Sequence, residues 1–324
     1  MAYEHLAMAV AYADAKGLPY ETKSKQEIKE LGGVSDNLIL PYSFSGSFPD
    51  FIERPIGTWS DDTQHTLAMM RSISKSKSFN LPYLVSELKE EYLKSDAGWG
   101  GASKKAMEYF VPEMKTESLR NMGVESTGCG PLMRLAPLAI YQAFHTSEYD
   151  ADIEVMDATT CTHKSNLAVA VSQALASVVR GLVKSEVTDV VSSAIGSAMR
   201  YEVINNVDNI FSERLKKVYS SDDISASVYE INLDSGASDA FAIWSVATVA
   251  LAAFNRYRSN GFKTLIDAVI AEGGDTDSSA AIAAGLYMAQ FPDYCVDFDD
   301  VNLLIRNDEL RDVGNDFSRL VSFD

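Results

Sequence analysis

Cysteine, positive charge and long apolar runs are all in short supply in this chain of 324 residues. The three cysteines, Cys129, Cys161 and Cys295, are scattered and form no C-x-x-C pair. An odd, dispersed set of thiols argues against a disulfide framework and against structural zinc, and it fits a reducing compartment. Lys and Arg number 28 against 46 Asp and Glu, for a net charge of −18. A surface this acidic repels a phosphate backbone, so binding to nucleic-acid backbone is not expected. The longest uncharged apolar run, Ala240 to Phe254, falls short of the roughly 20 residues that a bilayer span requires. It predicts a helix buried in the core, and no membrane association. The opening stretch MAYEHLAMAVAYADAKG carries acids and lacks a basic start, so no signal peptide is expected and a cytoplasmic location is.

Strand signals are equally thin. The best alternating stretch, VYEINL from Val228 to Leu233, is short. Helical spacing dominates instead. Leu167, Val171, Leu175 and Val178 keep one apolar face, as do Leu67, Met70 and Ile73, and again Ile282, Leu286 and Ala289. No repeat, low-complexity tract or Pro/Ser linker divides the chain. With 46% hydrophobic and 23% charged residues, the composition suits a sizeable core. The pattern predicts one compact all-α domain over 1–324. Loops punctuated by Gly and Pro fall at Gly17–Pro19, Gly32–Pro55, Asp96–Gly101 and Glu125–Pro131, and they meet in space only if helix ends converge.

Two acidic stretches stand out. GTWSDDTQHTL (Gly57–Leu67) and EGGDTDSSAA (Glu272–Ala281) each follow glycine closely and open an apolar helix with hydroxyls and paired acids. Capping accounts for them singly: Ser60 or Asp275 as N-cap, with Asp61, Asp62 and Asp277 at the positive end of a helix dipole. Their likeness to each other raises a second possibility. If both helix starts point at one spot, Asp61, Asp62, Asp275 and Asp277 crowd together with no Lys or Arg in either motif. Such charge is not buried unpaired. A charge of about −4 matches roughly two divalent cations. The donors are all oxygen, from these carboxylates and the hydroxyls of Ser60, Thr63, Thr276 or Ser278, which favours Mg²⁺ or Mn²⁺ over zinc. Adjacent helical side chains diverge, so Asp61 and Asp62 reach different ions more easily than they chelate one.

Five stretches then form a recognisable ordered set: ADAKGLPYE (Ala13–Glu21), SDDT (Ser60–Thr63), GCGPLMRLAPLAI (Gly128–Ile140), TH (Thr162–His163) and GGDTDSSAAIAAG (Gly273–Gly285). In this order they resemble the GDALGxPxE, TDDT, GNGAxMRxAPLxL, TH and GGDTDTxAAIAGA motifs of the ADP-ribosylglycohydrolase family. The resemblance covers most of the chain. It implies a compact orthogonal helical bundle with a binuclear Mg²⁺ or Mn²⁺ site at converging helix N-termini. It implies metal ligands Ser60, Asp61, Asp62, Asp275, Asp277 and Ser278, with serine at two positions where the family usually has threonine. Glu21 falls on the family's mobile acidic residue beside the metals. Asp96, Gly98 and Gly100 fall in its glycine-rich substrate loop, with Glu21, Asp61, Asp62 and Asp96 as the catalytic set. Ser126, Gly128, Cys129 and Gly130 would face phosphate and ribose, and His163 would touch substrate near the distal ribose. His5, His65, His145 and Trp59 read as packing residues, while Trp99 either packs or stacks on a ring.

The chain departs from the family pattern at Ala13 (usually Gly), Lys16 (usually apolar) and Cys129 (usually Asn). None of these is a presumed metal ligand, so activity is expected to remain. The implied reaction is metal-dependent hydrolysis of the C1″ glycosidic bond of ADP-ribose joined to an arginine- or serine-type side chain or a small molecule. Water attacks C1″, and positive charge builds on the sugar ring beside the carboxylates. Glu21 or a metal-site aspartate serves as general base, or Glu21 as acid for the leaving group. The alternatives are a two-metal nucleotide phosphoester hydrolase and a catalytically silent ADP-ribose-binding or crystallin-like structural protein. A monomer is favoured.

Overall fold

The computed structural model describes residues 2–44, 51–94, 97–225 and 239–321. Among these the first eight helices are α1 (Leu6–Gly17), α2 (Lys25–Glu30), α3 (Asp61–Ser76), α4 (Leu81–Lys94), α5 (Gly101–Tyr109), α6 (Thr116–Leu119), α7 (Leu135–His145) and α8 (Glu148–Thr160). They continue as α9 (Asn166–Val183), α10 (Val190–Ile204), α11 (Ile210–Tyr219), α12 (Ile243–Tyr257), α13 (Phe262–Ile270), α14 (Thr276–Gln290) and α15 (Asn307–Val321). One antiparallel hairpin, β1 (Tyr42–Phe44) with β2 (Phe51–Glu53), interrupts this all-α fold. The hairpin lies inside the stretch read as a loop from Gly32 to Pro55. Its three-residue strands are too short to show a period of two. The Val228–Leu233 segment lies outside the described residues.

α1 and α14 form the centre. Every residue of α1 is buried, as is every residue of α14 from Thr276 to Ala289. A helix enclosed on all faces need not be amphipathic, and both are rich in alanine, whose small side chain lets backbones approach. α1 packs against α14, α3 and α15; α14 packs in turn against α12 and α13; α9 packs against α7, α8 and α10. α9 is long and apolar enough to cross a bilayer, but 78% of it is buried inside the protein, which makes it a core helix. The run ending at Phe254 is a core helix only in its later part: α12 starts at Ile243 and is buried from Val246 to Phe254, while residues 240–242 before it are half-buried.

The closest approach in this centre is at Gly17, where α1 ends on the beginning of α14. A methyl group there would lie 2.6 Å from Asp277 Cα and 2.6 Å from the Thr276 carbonyl oxygen. Only a residue without a side chain fits, and Thr276 secures the contact by donating its hydroxyl to the Gly17 carbonyl at 2.9 Å. Lys16, next to it, is buried and charged where an apolar residue is usual. Its Nζ lies 2.5 Å from Asp267 Oδ1 of α13, in a geometry outside hydrogen-bond angles. An ion pair thus compensates the charge.

Candidate metal centre

The starts of α3 and α14 do meet. Ser278 in the first turn of α14 donates its hydroxyl to Asp62 Oδ2 of α3 at 3.1 Å. Ser60 caps α3 as expected, accepting from the Asp62 amide at 3.3 Å, and it also donates to Asp62 Oδ2 at 3.0 Å. Asp275 occupies the N-cap position of α14 but makes no capping bond; its Oδ2 instead accepts from the Cys129 thiol at 3.0 Å. The capping interpretation therefore holds for Ser60, while Asp275 keeps the cap position and turns Oδ2 to Cys129. Of the four hydroxyls considered as donors to a cation, Thr63 and Thr276 are engaged elsewhere, with Asp14 and Gly17.

A fifth aspartate completes the cluster. Asp14 of α1 accepts from the Ser60 amide at 2.9 Å, the Thr63 amide at 3.0 Å and the Thr63 hydroxyl at 2.6 Å. A carboxylate at these otherwise orphaned N–H groups is favoured by hydrogen bonding and by the helix dipole. Asp14 thus fixes the start of α3 on α1. One oxygen each from Asp14, Asp62 and Asp277 lie within 4.8 Å of one another, and all three residues are buried. Asp61 is not in that trio. It faces the loop at Gly98, and the Gly100 amide hydrogen-bonds to its carboxylate. The neighbours Asp61 and Asp62 diverge, as helical geometry requires.

The turn into α14 depends on Gly273 and Gly274, with φ of 77° and 82°. A side chain at Gly273 would strike the Lys23 carbonyl at 2.6 Å. The glycines let this turn pair with the segment after Glu21: Thr22 donates to the Gly274 carbonyl at 2.9 Å, and Gly274 donates to that of Lys23 at 2.8 Å. Glu21 is thereby held over the acids.

Around these residues lies a cavity of about 480 Å³. Its lining includes Glu21, Asp61, Asp62, Asp275, Asp277 and Ser278 from the acidic side. Gly98, Trp99 and Gly100 line it from one loop, and Ser126, Gly128, Cys129 and Gly130 from another, with His163, Lys104 and Phe241 completing the wall. The separate sequence stretches therefore converge on one concavity. Ser60 lies beneath it, fully buried. Asp96 lies outside the described residues.

Crowding leaves its mark on the acids. Burial, with the Asp14 and Asp275 charges, lifts Asp61 to about 8. Burial lifts Asp14 to about 6, against the pull of its hydrogen bonds from Thr63 and Ser60. Asp62, Asp277 and Glu21 are driven well above the carboxylate range, first by burial and then by neighbouring carboxylate charges: Asp14, Asp61 and Asp275 on Asp62, Glu21 and Asp275 on Asp277, and Asp275 and Asp61 on Glu21. Three buried oxygens, Glu21 Oε2, Asp62 Oδ1 and Asp277 Oδ1, have no hydrogen-bond partner. Orphaned carboxylate oxygens are costly in a buried site, and a hard cation satisfies them. The residues present therefore fit a divalent metal.

The substrate side is built around His163. Its Nδ1 lies 2.9 Å from Thr162 Oγ1, and its ring rests against Gly128 and Gly130. Burial and the nearby Arg134 push it down to about 3, so it is neutral at physiological pH. Fully buried Arg134 organises the region. It donates to the Ala158 carbonyl at 2.9 Å and to the Thr162 hydroxyl, and its Nη1 lies 3.2 Å from His65 Nδ1. Trp99 packs edge-on against His65 and Tyr92 and donates to Gln64 Oε1 at 2.5 Å. It packs, and only its rim reaches the cavity, at 8% exposure.

Against known proteins, a model of the ADP-ribosylglycohydrolase family matches residues 6–291. The chain belongs to that family. The ADP-ribosylglycohydrolase match takes in every element described above except α15. A protein of Archaeoglobus fulgidus described only as uncharacterized is 25% identical over 291 residues, covering 88% of this chain and 86% of its own. A solved structure titled ADP-ribosylglycohydrolase-related protein complex superposes with a TM-score of 0.67 at 20% identity, over 99% of this chain and 98% of the other. That likeness supports the fold. Family membership supports glycohydrolase chemistry on ADP-ribose-bearing substrates and a metal-dependent site.

Asp14 and Arg134 of this ADP-ribosylglycohydrolase site were missed in the sequence, as were the lining residues Lys104 and Phe241. Asp14 stands inside the quoted ADAKG motif, two residues from charged Lys16, yet reads there as an ordinary helical aspartate. Arg134 stands inside GCGPLMRLAPLAI. A full charge buried within an apolar run was the one available signal for it.

Proposed function

We propose that this protein is a divalent-cation-dependent hydrolase that cleaves the C1″ glycosidic bond of ADP-ribose attached to an arginine- or serine-type side chain or a related small molecule. The observation that carries this reading is the set of unpartnered, buried carboxylate oxygens of Glu21, Asp62 and Asp277 meeting in one cavity. Asp61, Asp62, Asp275 and Asp277, with the hydroxyls of Ser60 and Ser278, would hold up to two Mg²⁺ or Mn²⁺ ions. Such ions, when bound, supply Lewis-acid polarisation and an anchor for vicinal sugar hydroxyls.

The chain's own groups supply the rest. The Gly98–Gly100 and Gly128–Gly130 loops, rich in glycine, permit close approach of a diphosphate. Neutral His163, fixed by Thr162 and Arg134, offers Nε2 to a ribose hydroxyl. The acids lie where positive charge grows on the sugar ring as the C1″ bond breaks. Glu21 can hold a proton at Oε2, to hand to the leaving group or to take from the attacking water.

The test is a panel of ADP-ribosyl-arginine, ADP-ribosyl-serine and ADP-ribose phosphoesters, with Mg²⁺ or Mn²⁺ and with excess chelator, products resolved by chromatography. Free ADP-ribose released only when the cation is present supports the reading. Cleavage of the phosphoesters alone, or tight binding of ADP-ribose with no turnover of any substrate, contradicts it.

A further inference from the structure

We propose that Cys129 is itself a donor to the metal centre, so that the site joins sulfur to oxygen and takes thiophilic divalent cations such as Co²⁺, Zn²⁺ or Cd²⁺. The inference rests on the cation-binding reading above and adds a ligand to it.

The thiol is inside the centre, not beside it. Cys129 Sγ lies 3.0 Å from Asp275 Oδ2 and 3.8 Å from Ser278 Oγ, and Ser278 in turn reaches Asp62 Oδ2 at 3.1 Å. Cys129 lines the same cavity as Asp62 and Asp277, whose Oδ1 atoms have no partner. The other thiols are elsewhere: Cys161 donates to the Ala158 carbonyl at 3.4 Å, and Cys295 is exposed. The spacing suits shared coordination. With metal–sulfur and metal–oxygen bonds of about 2.3 and about 2.1 Å, two donors are about 3.6 Å apart at the tetrahedral angle usual for zinc and about 3.1 Å apart at the right angle of a six-coordinate ion. The observed 3.0 Å between Sγ and Oδ2 matches the latter spacing.

The centre then has two unlike halves. Asp14, Asp62 and Asp277 offer oxygen alone, which suits a hard ion. Asp275 and Cys129 offer oxygen and sulfur, which suits a softer one. Forming the sulfur–metal bond breaks the S–H bond and releases one proton to the buffer, with no change in oxidation state.

Chelator-stripped protein is titrated with Co²⁺ and followed by absorbance. Visible d–d bands report binding, and a near-ultraviolet thiolate-to-cobalt charge-transfer band reports sulfur ligation. The expected result is both signals in the native sequence and in Cys161→Ser and Cys295→Ser. Cys129→Ser and Cys129→Ala should keep the visible bands and lose the charge-transfer band. By calorimetry, Cys129→Ser should weaken Cd²⁺ binding about tenfold or more and shift Mn²⁺ binding far less. Visible bands without a charge-transfer band in the native protein overturn sulfur ligation and leave the centre standing. No cobalt binding at all overturns the centre, and sulfur ligation with it.

Discussion

The unpartnered oxygens of Asp62 and Asp277 place function and stability in opposition at single residues. Each carboxylate is buried among others and gains little until a cation arrives. Replacing Asp277 by Asn keeps the shape and removes a charge. In chelator this variant should melt above the native protein, by a few degrees, while hydrolysis with Mg²⁺ or Mn²⁺ falls by about 10³-fold. Scanning calorimetry with chelator and initial rates with cation check the two halves. A lower melting temperature in chelator would show that Asp277 makes a stabilising contact as it stands. At this scale the sequence was informative where chemistry is written in the residue type. Asp61, Asp62, Asp275 and Asp277 were legible as acids in search of partners. Asp14 was not, because its role arises from contacts with Ser60 and Thr63, 46 and 49 positions away. Nor was the fate of Thr63 and Thr276, whose hydroxyls look like those of Ser60 and Ser278 in the sequence and are bound to Asp14 and Gly17.

Among elements, the site is the meeting of three helix ends: the last turn of α1 and the first turns of α3 and α14. Asp14 ties α1 to α3. Asp14→Ala removes the acceptor for two backbone amides and should destabilise the protein by about 1–3 kcal/mol; chemical denaturation measures this. Gly17 ties α1 to α14. Gly17→Ala pushes a methyl into the backbone of Asp277, and the cost should be about 1–3 kcal/mol of stability. It should also displace the start of α14, so cation affinity falls with stability. Isothermal titration with Mn²⁺ on the folded variant separates the two, and unchanged affinity in Gly17→Ala would mean that the contact does not set the site. Helical periodicity identified α3, α9 and α14, and an uncharged apolar run identified α12. It could not give their crossing, which depends on a missing side chain at Gly17. The β1–β2 hairpin was invisible for a plainer reason: three residues per strand carry no period.

For the whole molecule, two charge systems respond to pH in opposite directions. The first is the centre, where burial and mutual repulsion hold the carboxyls above their unfolded values, Asp14 to about 6 and Asp61 to about 8. The native state then binds more protons than the unfolded chain, so stability falls as pH rises from about 4 to about 8 in the absence of cation. A bound divalent ion replaces those protons and flattens the slope. The second is the partly buried cluster in which Arg306 and Lys94 meet Glu91 and Glu309. Burial tends to raise Glu309, but the Arg306 hydrogen bond and surrounding cations bring it down to about 2. That contribution is full above the unfolded value and is lost as pH falls from about 4.5 towards about 2. Melting temperature in chelator should therefore peak in mildly acidic buffer, and adding Mn²⁺ should raise it most near pH 8. A profile that is flat up to pH 8 in chelator would contradict the crowding of the acids. The net charge of −18 foreshadowed such repulsion, but only the fold shows how much of it is focused in one cavity. The measurement closest to the central claim is anomalous diffraction from crystals grown with Mn²⁺. The expected map has manganese peaks within bonding distance of Asp62, Asp275 and Asp277, at the joined starts of α3 and α14. Peaks confined to the outer surface, with those carboxylates bound only to protein or water, would contradict it.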